Sequence, residues 1–389
     1  MYSVRFCSAW LLLVVAAILT AGPLLAQSTT ATGLSRDFNP AISINALLAC
    51  RLADQTTDRA YNGVNLQEAE MQVTSIVDPY WKANLVFAVH PAHSHDDAHA
   101  HGFVGDVEVA TVTGLAIGGG FGLVLGKDYL PFGKHAALHT HQFPFVDAPA
   151  VVGTFLGGHS LSETGLRLSH ELPLTWYSDL TGYAVDGKSA IFNGESRDPV
   201  FGARFSNVVD LGMESTLEFS GSMLHGKMAP NYLLLHDHEE LGGSLDVYGA
   251  DLTFKWISAQ ASKGPALTLT GEVILPRPES GPENPLGWYA LAQYRFARNW
   301  WLGVTTGGLD RDLPEHTEHV EPEEEGHAHG PFEWAEVFEY KANLTWAPSE
   351  FSSVRFEVAR YEDPNSDHNE TLVSLQVNFT IGSHPAHLY

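Results

Sequence analysis

The sequence predicts an all-β fold, a transmembrane antiparallel up-and-down β-barrel of about 16 strands. Three observations predict it: an alternation of period two along the whole chain, connections that are by turns tight and long, and tryptophans gathered at strand ends. The alternation is clearest where Val373, Leu375, Val377, Phe379 and Ile381 interleave with Ser374, Gln376, Asn378 and Thr380. It recurs in Phe338, Tyr340, Ala342, Leu344 and Trp346 against Glu339, Lys341, Asn343 and Thr345, and in Ala83, Leu85, Phe87 and Val89 against Lys82 and Asn84. Such a pattern sends successive side chains to opposite faces of a strand. In an outer-membrane barrel the apolar face meets lipid and the polar face lines the lumen.

The strands fall at approximately 41–50, 65–76, 81–90, 104–114, 120–130, 160–170, 175–186, 198–207, 213–224, 244–256, 265–276, 286–297, 300–309, 334–346, 351–361 and 369–381. An even number is what a single-chain bacterial barrel requires. Tight turns include Asp78-Pro79, Leu172-Pro173-Leu174, Ala297-Arg298-Asn299 and Ala347-Pro348-Ser349. Trp81, Trp176, Trp256, Trp288, Trp300, Trp301, Trp334 and Trp346 all lie near strand ends, as interfacial aromatic girdles require. With the N-terminus periplasmic, the longer connections 51–64, 91–103, 131–159, 187–197, 225–243, 277–285, 310–333 and 362–368 are extracellular.

The N-terminus sets the expected compartment. Arg5 is a basic n-region, Trp10 to Leu19 a short apolar h-region, and Ala26 before Gln27 a cleavage point. Residues 1–26 therefore read as a secretory signal peptide and 27–389 as one outer-membrane barrel domain with His-rich extracellular loops. About 15 residues between the cleavage point and the first strand are too few for a plug domain. The expected location is the outer membrane of a Gram-negative bacterium. After residue 26 no uninterrupted apolar stretch approaches a helical membrane span.

Composition narrows the function. The chain of 389 residues carries 21 Lys+Arg against 46 Asp+Glu, a formal net charge of −25. Neutralising phosphates needs Lys and Arg, so nucleic acid is not an expected partner. The 44% hydrophobic content is enough to bury a core, which excludes a disordered chain. No G-x-S-x-G elbow, H-E-x-x-H or supported Ser/His/Asp set is present, so an enzyme is not expected. The parity of the strands turns Glu68, Glu70, Asp179, Glu218, Asp251, Glu272, Glu339 and Glu357 toward the lumen, opposed by Arg167, Arg204, Arg295 and Arg355. Acid exceeds base there, which predicts a lumen that favours cations.

The 20 histidines are the unusual feature, and most fall in the extracellular set of connections. His90, His93, His95, His99 and His101 surround Asp96 and Asp97. His236 and His238 flank Asp237, and His316, His319, His327 and His329 flank a run of Glu. Neutral imidazole with nearby carboxylate suits zinc and other divalent transition metals. The spacing is irregular, so mobile, weak, multi-site binding is expected rather than a fixed cage. The connection 131–159 is the sharpest candidate. It holds His135, His139, His141 and Asp147. If the segment is extended, His139 and His141 point to one side and reach one ion; a helical start would bring His135 to them. The same connection carries Phe143, Phe145, Val151, Val152, Phe155 and Leu156, which need cover. The barrel interior is the simplest cover, so this third long loop is expected to fold inward and narrow the pore.

Gly126-Lys127-Asp128-Tyr129-Leu130-Pro131-Phe132-Gly133 resembles a strand-end motif of porins of the phosphate-selective O/P type. His139-Thr140-His141-Gln142-Phe143-Pro144-Phe145-Val146-Asp147-Ala148-Pro149 and the tail Asn378 to His387 resemble a family of His-rich bacterial barrels associated with zinc supply, some of which are labelled zinc-regulated TonB-dependent outer membrane receptors. That likeness implies zinc handling. Tyr389, a terminal aromatic after the last strand, resembles the signal read by the barrel-assembly machinery. These readings predict a porin or channel that takes up divalent transition-metal ions, zinc first, with no cofactor required. The alternatives are a surface barrel that buffers or senses metal without transport, and an unselective porin. Porin-like barrels are often trimers, so a homotrimer is among the expected assemblies.

Overall fold

The computed structural model describes residues 40–54, 62–91, 102–157, 161–194, 198–230, 232–233, 243–259, 264–280, 284–312, 334–363 and 369–382. The expected signal peptide lies outside them. So do His93, His95, Asp96, Asp97, His99, His101, His236, His238, His316, His319, His327 and His329.

Sixteen antiparallel strands close into one barrel in chain order, with the first pairing the last. They are β1 (Ala41–Ala53), β2 (Gly63–Asp78), β3 (Trp81–Pro91), β4 (Phe103–Gly114), β5 (Phe121–Tyr129), β6 (Ser162–Glu171), β7 (Tyr177–Val185), β8 (Val200–Asp210), β9 (Ser215–Lys227), β10 (Ser244–Ile257), β11 (Ala266–Pro278), β12 (Gly287–Ala297), β13 (Trp300–Asp312), β14 (Trp334–Ser349), β15 (Ser352–Glu362) and β16 (Glu370–Gly382). Every strand expected from the alternation is present. Closure runs in continuous register from Ser43 opposite Gly382 to Ala53 opposite Leu372, which removes both sheet edges. The short and long connections sort to opposite ends of the barrel, as the parity requires.

The faces are inverted relative to a soluble sandwich. On β10, Leu252 is 52% exposed while its neighbours Asp251 and Thr253 are buried. Leu166 and Leu168 on β6, Leu302 and Val304 on β13, and Phe356 and Val358 on β15 are exposed in the same way. These side chains form the outward apolar surface that a bilayer covers. At the short-turn end, Trp300 and Trp346 lean together across β13 and β14 with ring centroids 6.4 Å apart, and Trp176, before β7, is exposed at the same end of the barrel.

The third long connection does fold inward. Between β5 and β6 it carries a 3₁₀ turn (Thr140–Gln142) and one short helix, α1 (Ala150–Leu156). Phe132, Val151, Val152, Phe155 and Leu156 from this segment are fully buried against wall residues of the long-connection half, among them Val200, Leu224, Val247, Ile274 and Val337. Strict polar-in patterning therefore holds only toward the short turns. Near the long connections the inward face is apolar, because the loop presents an apolar surface that needs a partner. Each large side chain buried there contributes roughly 1.5–3 kcal/mol. Toward the short turns the loop leaves a small cavity of about 60 Å³, with Lys134, His135, Lys255, Thr270 and Tyr289 in its lining.

Polar groups of the wall hold the loop's backbone. Glu339 accepts from Ala150 N (3.0 Å) and Glu357 from Val146 N (3.1 Å). Arg355 donates to Phe145 O (2.6 Å), Asn343 to Pro144 O (3.1 Å), and Lys341 to the carbonyls of Asp147 and Ala148 (3.1 and 3.0 Å). Glu272 accepts from Lys134 N and from the Tyr289 hydroxyl. Elsewhere Arg204 grips Asp251 through both guanidinium nitrogens, and Glu218 takes both Lys134 and Lys255. Most of the lumen carboxylates expected to line a cation path are thus engaged with the loop or with a basic partner. The reason is that an inward loop brings backbone donors and acceptors that must be satisfied.

Gly133 shows how tight the docking is. It adopts φ +61°, and a Cβ there would lie 1.7 Å from Glu272 Oε1. Gly133→Ala is expected to destabilise the docked loop by about 1–3 kcal/mol, through overpacking and left-handed backbone strain. A lowered thermal midpoint for heat-modified mobility of the folded barrel would register it; an unchanged midpoint would show that Glu272 moves aside at no cost.

Candidate metal site on the inward loop

The site forms where the loop crosses the wall at β2 and β4. Glu68 and Glu70 are two residues apart on β2 and so share its lumen face. Glu108 on β4 joins them through an irregularity. Val86 pairs with Val109 while the next residue, Phe87, pairs with Val107, leaving Glu108 as the extra residue of a β-bulge. A second bulge on β2, between Glu68 and Leu66 opposite Leu47 and Leu48, frees Gln67 to bond Val146 O on the loop. Strict alternation points Glu108 at lipid, so the sequence reading missed it. Such bulges leave no reliable signature in residue types alone.

Opposite these carboxylates, His139 is extended and caps the 3₁₀ turn that contains His141. His139 Nδ1 lies 3.2 Å from Glu108 Oε2 and 3.3 Å from Glu70 Oε1. His141 Nδ1 lies 2.9 Å from Glu70 Oε2. Between them, the Thr140 hydroxyl donates to Glu68 Oε2 at 2.8 Å. The two imidazoles stack with centroids 5.6 Å apart, and Tyr129 meets His139 edge-on. Burial disfavours a charge on His139, yet hydrogen bonds to Glu108 and Glu70 outweigh it and push its pKa up to about 10. This places the imidazole as a cation between two carboxylates at neutral pH.

These side chains form two groups whose potential ligand atoms all lie within 4.8 Å of one another: Glu68, Glu70 and His141, and Glu70, Glu108 and His139. The expectation that His139 and His141 reach one ion is not met. Among the described residues no such group contains both. Ligands of a single ion at about 2.1 Å each cannot stand more than about 4.2 Å apart. The cause is the 3₁₀ turn, which separates the two ring nitrogens that a fully extended segment would align.

His135 and Asp147 do not join either group. Residues 133–137 form turns rather than the helix that would carry His135 to the site. His135 packs instead among Phe143 and Phe145, with Tyr289 edge-on, and its Nε2 is buried without a hydrogen-bond partner. Burial, then the charge of Lys341, pushes its pKa down to about 3. Asp147 pairs with Arg51 at 2.6 Å. His90, at the end of β3, lies 3.2 Å from the carbonyl of Pro91 through Nδ1 and belongs to neither group.

No protein-family model matches the chain. An uncharacterized protein of Aquifex aeolicus (strain VF5) is 26% identical over 367 residues, spanning 84% of this chain and 70% of that protein. Among solved structures, OprB of Pseudomonas putida superposes with a TM-score of 0.57 at 9% identity, over 89% of this chain and 94% of its own. OmpT of Vibrio cholerae lacking loop L8 gives 0.56 at 8% identity, over 89% and 100%. The outer membrane channel DcaP of Acinetobacter baumannii gives 0.53 at 12%, over 88% and 96%. The fold is that of outer-membrane β-barrels. At these identities the likeness is one of fold alone, and the likeness to zinc-associated barrels rests on the sequence motifs by themselves.

Proposed function

We propose that the chain is an outer-membrane channel of a Gram-negative bacterium that admits divalent transition-metal ions, zinc first, to the periplasm. The observation that carries this reading is the pairing of His139 and His141 with Glu70 inside the barrel, on the loop that narrows it. Nitrogen and oxygen donors in this mixture suit zinc, and both groups draw their imidazoles from the loop that folds into the lumen. Ions captured outside by weak His and acid ligands would be handed to this constriction and released below it. Likeness to a structure titled as an outer membrane channel supports the transport reading, and a neighbour solved as a trimer supports a homotrimer. The signal peptide over residues 1–26 and delivery by the barrel-assembly machinery belong to the same proposal.

The filled outer half of the lumen favours one second reading: a barrel that holds metal at the surface without passing it. Reconstituted liposomes separate the two. Zn²⁺ uptake exceeding Mg²⁺ uptake, reduced at least about tenfold by Glu70→Gln, is expected of the channel. Zinc binding with no flux would select the second reading, and equal flux of both ions unaffected by Glu70→Gln would remove the site from either.

A further inference from the structure

We infer that the cluster takes two divalent ions at once, bridged by the Glu70 carboxylate; this rests on the metal reading above. Glu70 sends its two oxygens to different imidazoles, Oε1 toward His139 and Oε2 toward His141. That is the arrangement of a bridging carboxylate rather than of one chelating a single ion. Each side has its own further carboxylate, Glu108 beside His139 and Glu68 beside His141. The nitrogen–oxygen separations of 2.9, 3.2 and 3.3 Å fit the edges of a coordination shell. With bonds of about 2.1 Å, neighbouring ligands stand roughly 3.0 Å apart in an octahedron and roughly 3.4 Å apart in a tetrahedron. Each ion would thus sit on one nitrogen–oxygen edge without moving the backbone.

Two further observations point the same way. Glu68 Oε1 is buried without a hydrogen-bond partner, so one carboxylate oxygen of the set is left for a ligand that is not protein. As placed, the two imidazoles also fall in separate groups rather than around one centre among the described residues. The protein supplies three carboxylates and two imidazoles, enough for a primary shell of three protein ligands at each ion with Glu70 counted on both sides. Water fills the remaining positions, as at an exchanging site.

The consequence concerns release. Two dications sharing one carboxylate repel each other, so the second binds more weakly than the first and an arriving ion loosens its neighbour. Adjacent sites coupled in this way are how a selective pore binds ions and still lets them go.

The test uses the purified, folded full-length barrel in detergent. Mn²⁺ is the probe, because two Mn²⁺ ions joined by a carboxylate are spin-coupled and isolated ions on the His-rich connections are not. We expect a coupled-pair signal in electron paramagnetic resonance at saturating Mn²⁺. Native mass spectrometry with Zn²⁺ should show Glu70→Gln binding two fewer ions than the wild type, and Glu68→Gln and Glu108→Gln one fewer each. Absence of the coupled signal, with Glu70→Gln losing a single ion, overturns the two-ion inference and leaves the metal reading standing. No loss from any of the three variants overturns both. The wild-type signal needs no variant, so a misfolded substitution does not blunt the result.

Discussion

Replacing Lys341 by methionine will release the inward loop from the far wall at a cost of about 3–5 kcal/mol. The side chain of Lys341 is fully buried, 3.0 Å from the equally buried carboxylate of Glu339. It also donates to the carbonyls of Asp147 and Ala148, and its ammonium lies over the rings of Phe145 and Tyr361. Methionine matches the stem but strands the Glu339 charge in the barrel interior. A buried charge that loses its partner is among the costliest single changes, whereas removing both charges is close to neutral. Lys341→Met should therefore lower hydrogen-exchange protection across residues 144–156 by about a hundredfold or more, since each 1.4 kcal/mol is tenfold. The double variant Lys341→Met with Glu339→Gln should recover most of that protection. If it does not, the carbonyl bonds of Lys341, and not its charge pairing, hold the loop.

This ion pair marks the point where sequence reasoning loses resolution. Lys341 and Glu339 are both legible as lumen-facing from alternation in β14, and the strand itself is unmistakable. Their use is not legible, because it depends on a segment almost 200 residues away that the alternation does not describe. The apolar stretch from Phe143 to Leu156 does announce that this segment needs cover, and the barrel interior is the one large surface that can supply it. It does not say which wall residues turn apolar to receive it. Val200, Leu224, Val247 and Ile274 share the parity of the lumen-facing Arg204, Glu218, Asp251 and Glu272 on their strands, but an apolar residue on that face breaks the polar-in pattern without saying what covers it. Only the docked loop shows why these four inward positions are apolar.

The candidate metal site divides along the same line. His139, His141, Glu68 and Glu70 are recoverable from composition and parity. Glu108 is hidden by its bulge, and the separation of the two imidazoles by a 3₁₀ turn. Both are local backbone irregularities set by what packs around them rather than by the residues that form them. His135 has the opposite history. Its spacing from His139 invites a ligand reading, yet its neighbours Phe143 and Phe145 belong to the loop's own core.

That burial makes His135 an acid-sensitive latch, and the sign follows from its displaced titration. With the loop undocked, His135 titrates near its ordinary 6.5; docked, burial first and Lys341 second bring it to about 3. Between those values the undocked state binds more protons, and stability rises with pH wherever the less structured state does so. Docking is at full strength above about pH 6.5 and weakens as pH falls toward 3, by up to about 1.4 kcal/mol per unit. His139 works in the other direction. Its raised pKa favours docking fully below 6.5 and ceases to as pH climbs toward 10, so it adds no slope in the acid window. Hydrogen exchange of the loop, corrected for intrinsic rate, should therefore lose protection steadily from about pH 6.5 to about pH 4. His135→Phe should abolish most of that slope, because a phenyl ring fits beside Phe143 and Phe145 and carries no proton. Were the slope to survive in His135→Phe, the acid sensitivity would not belong to His135.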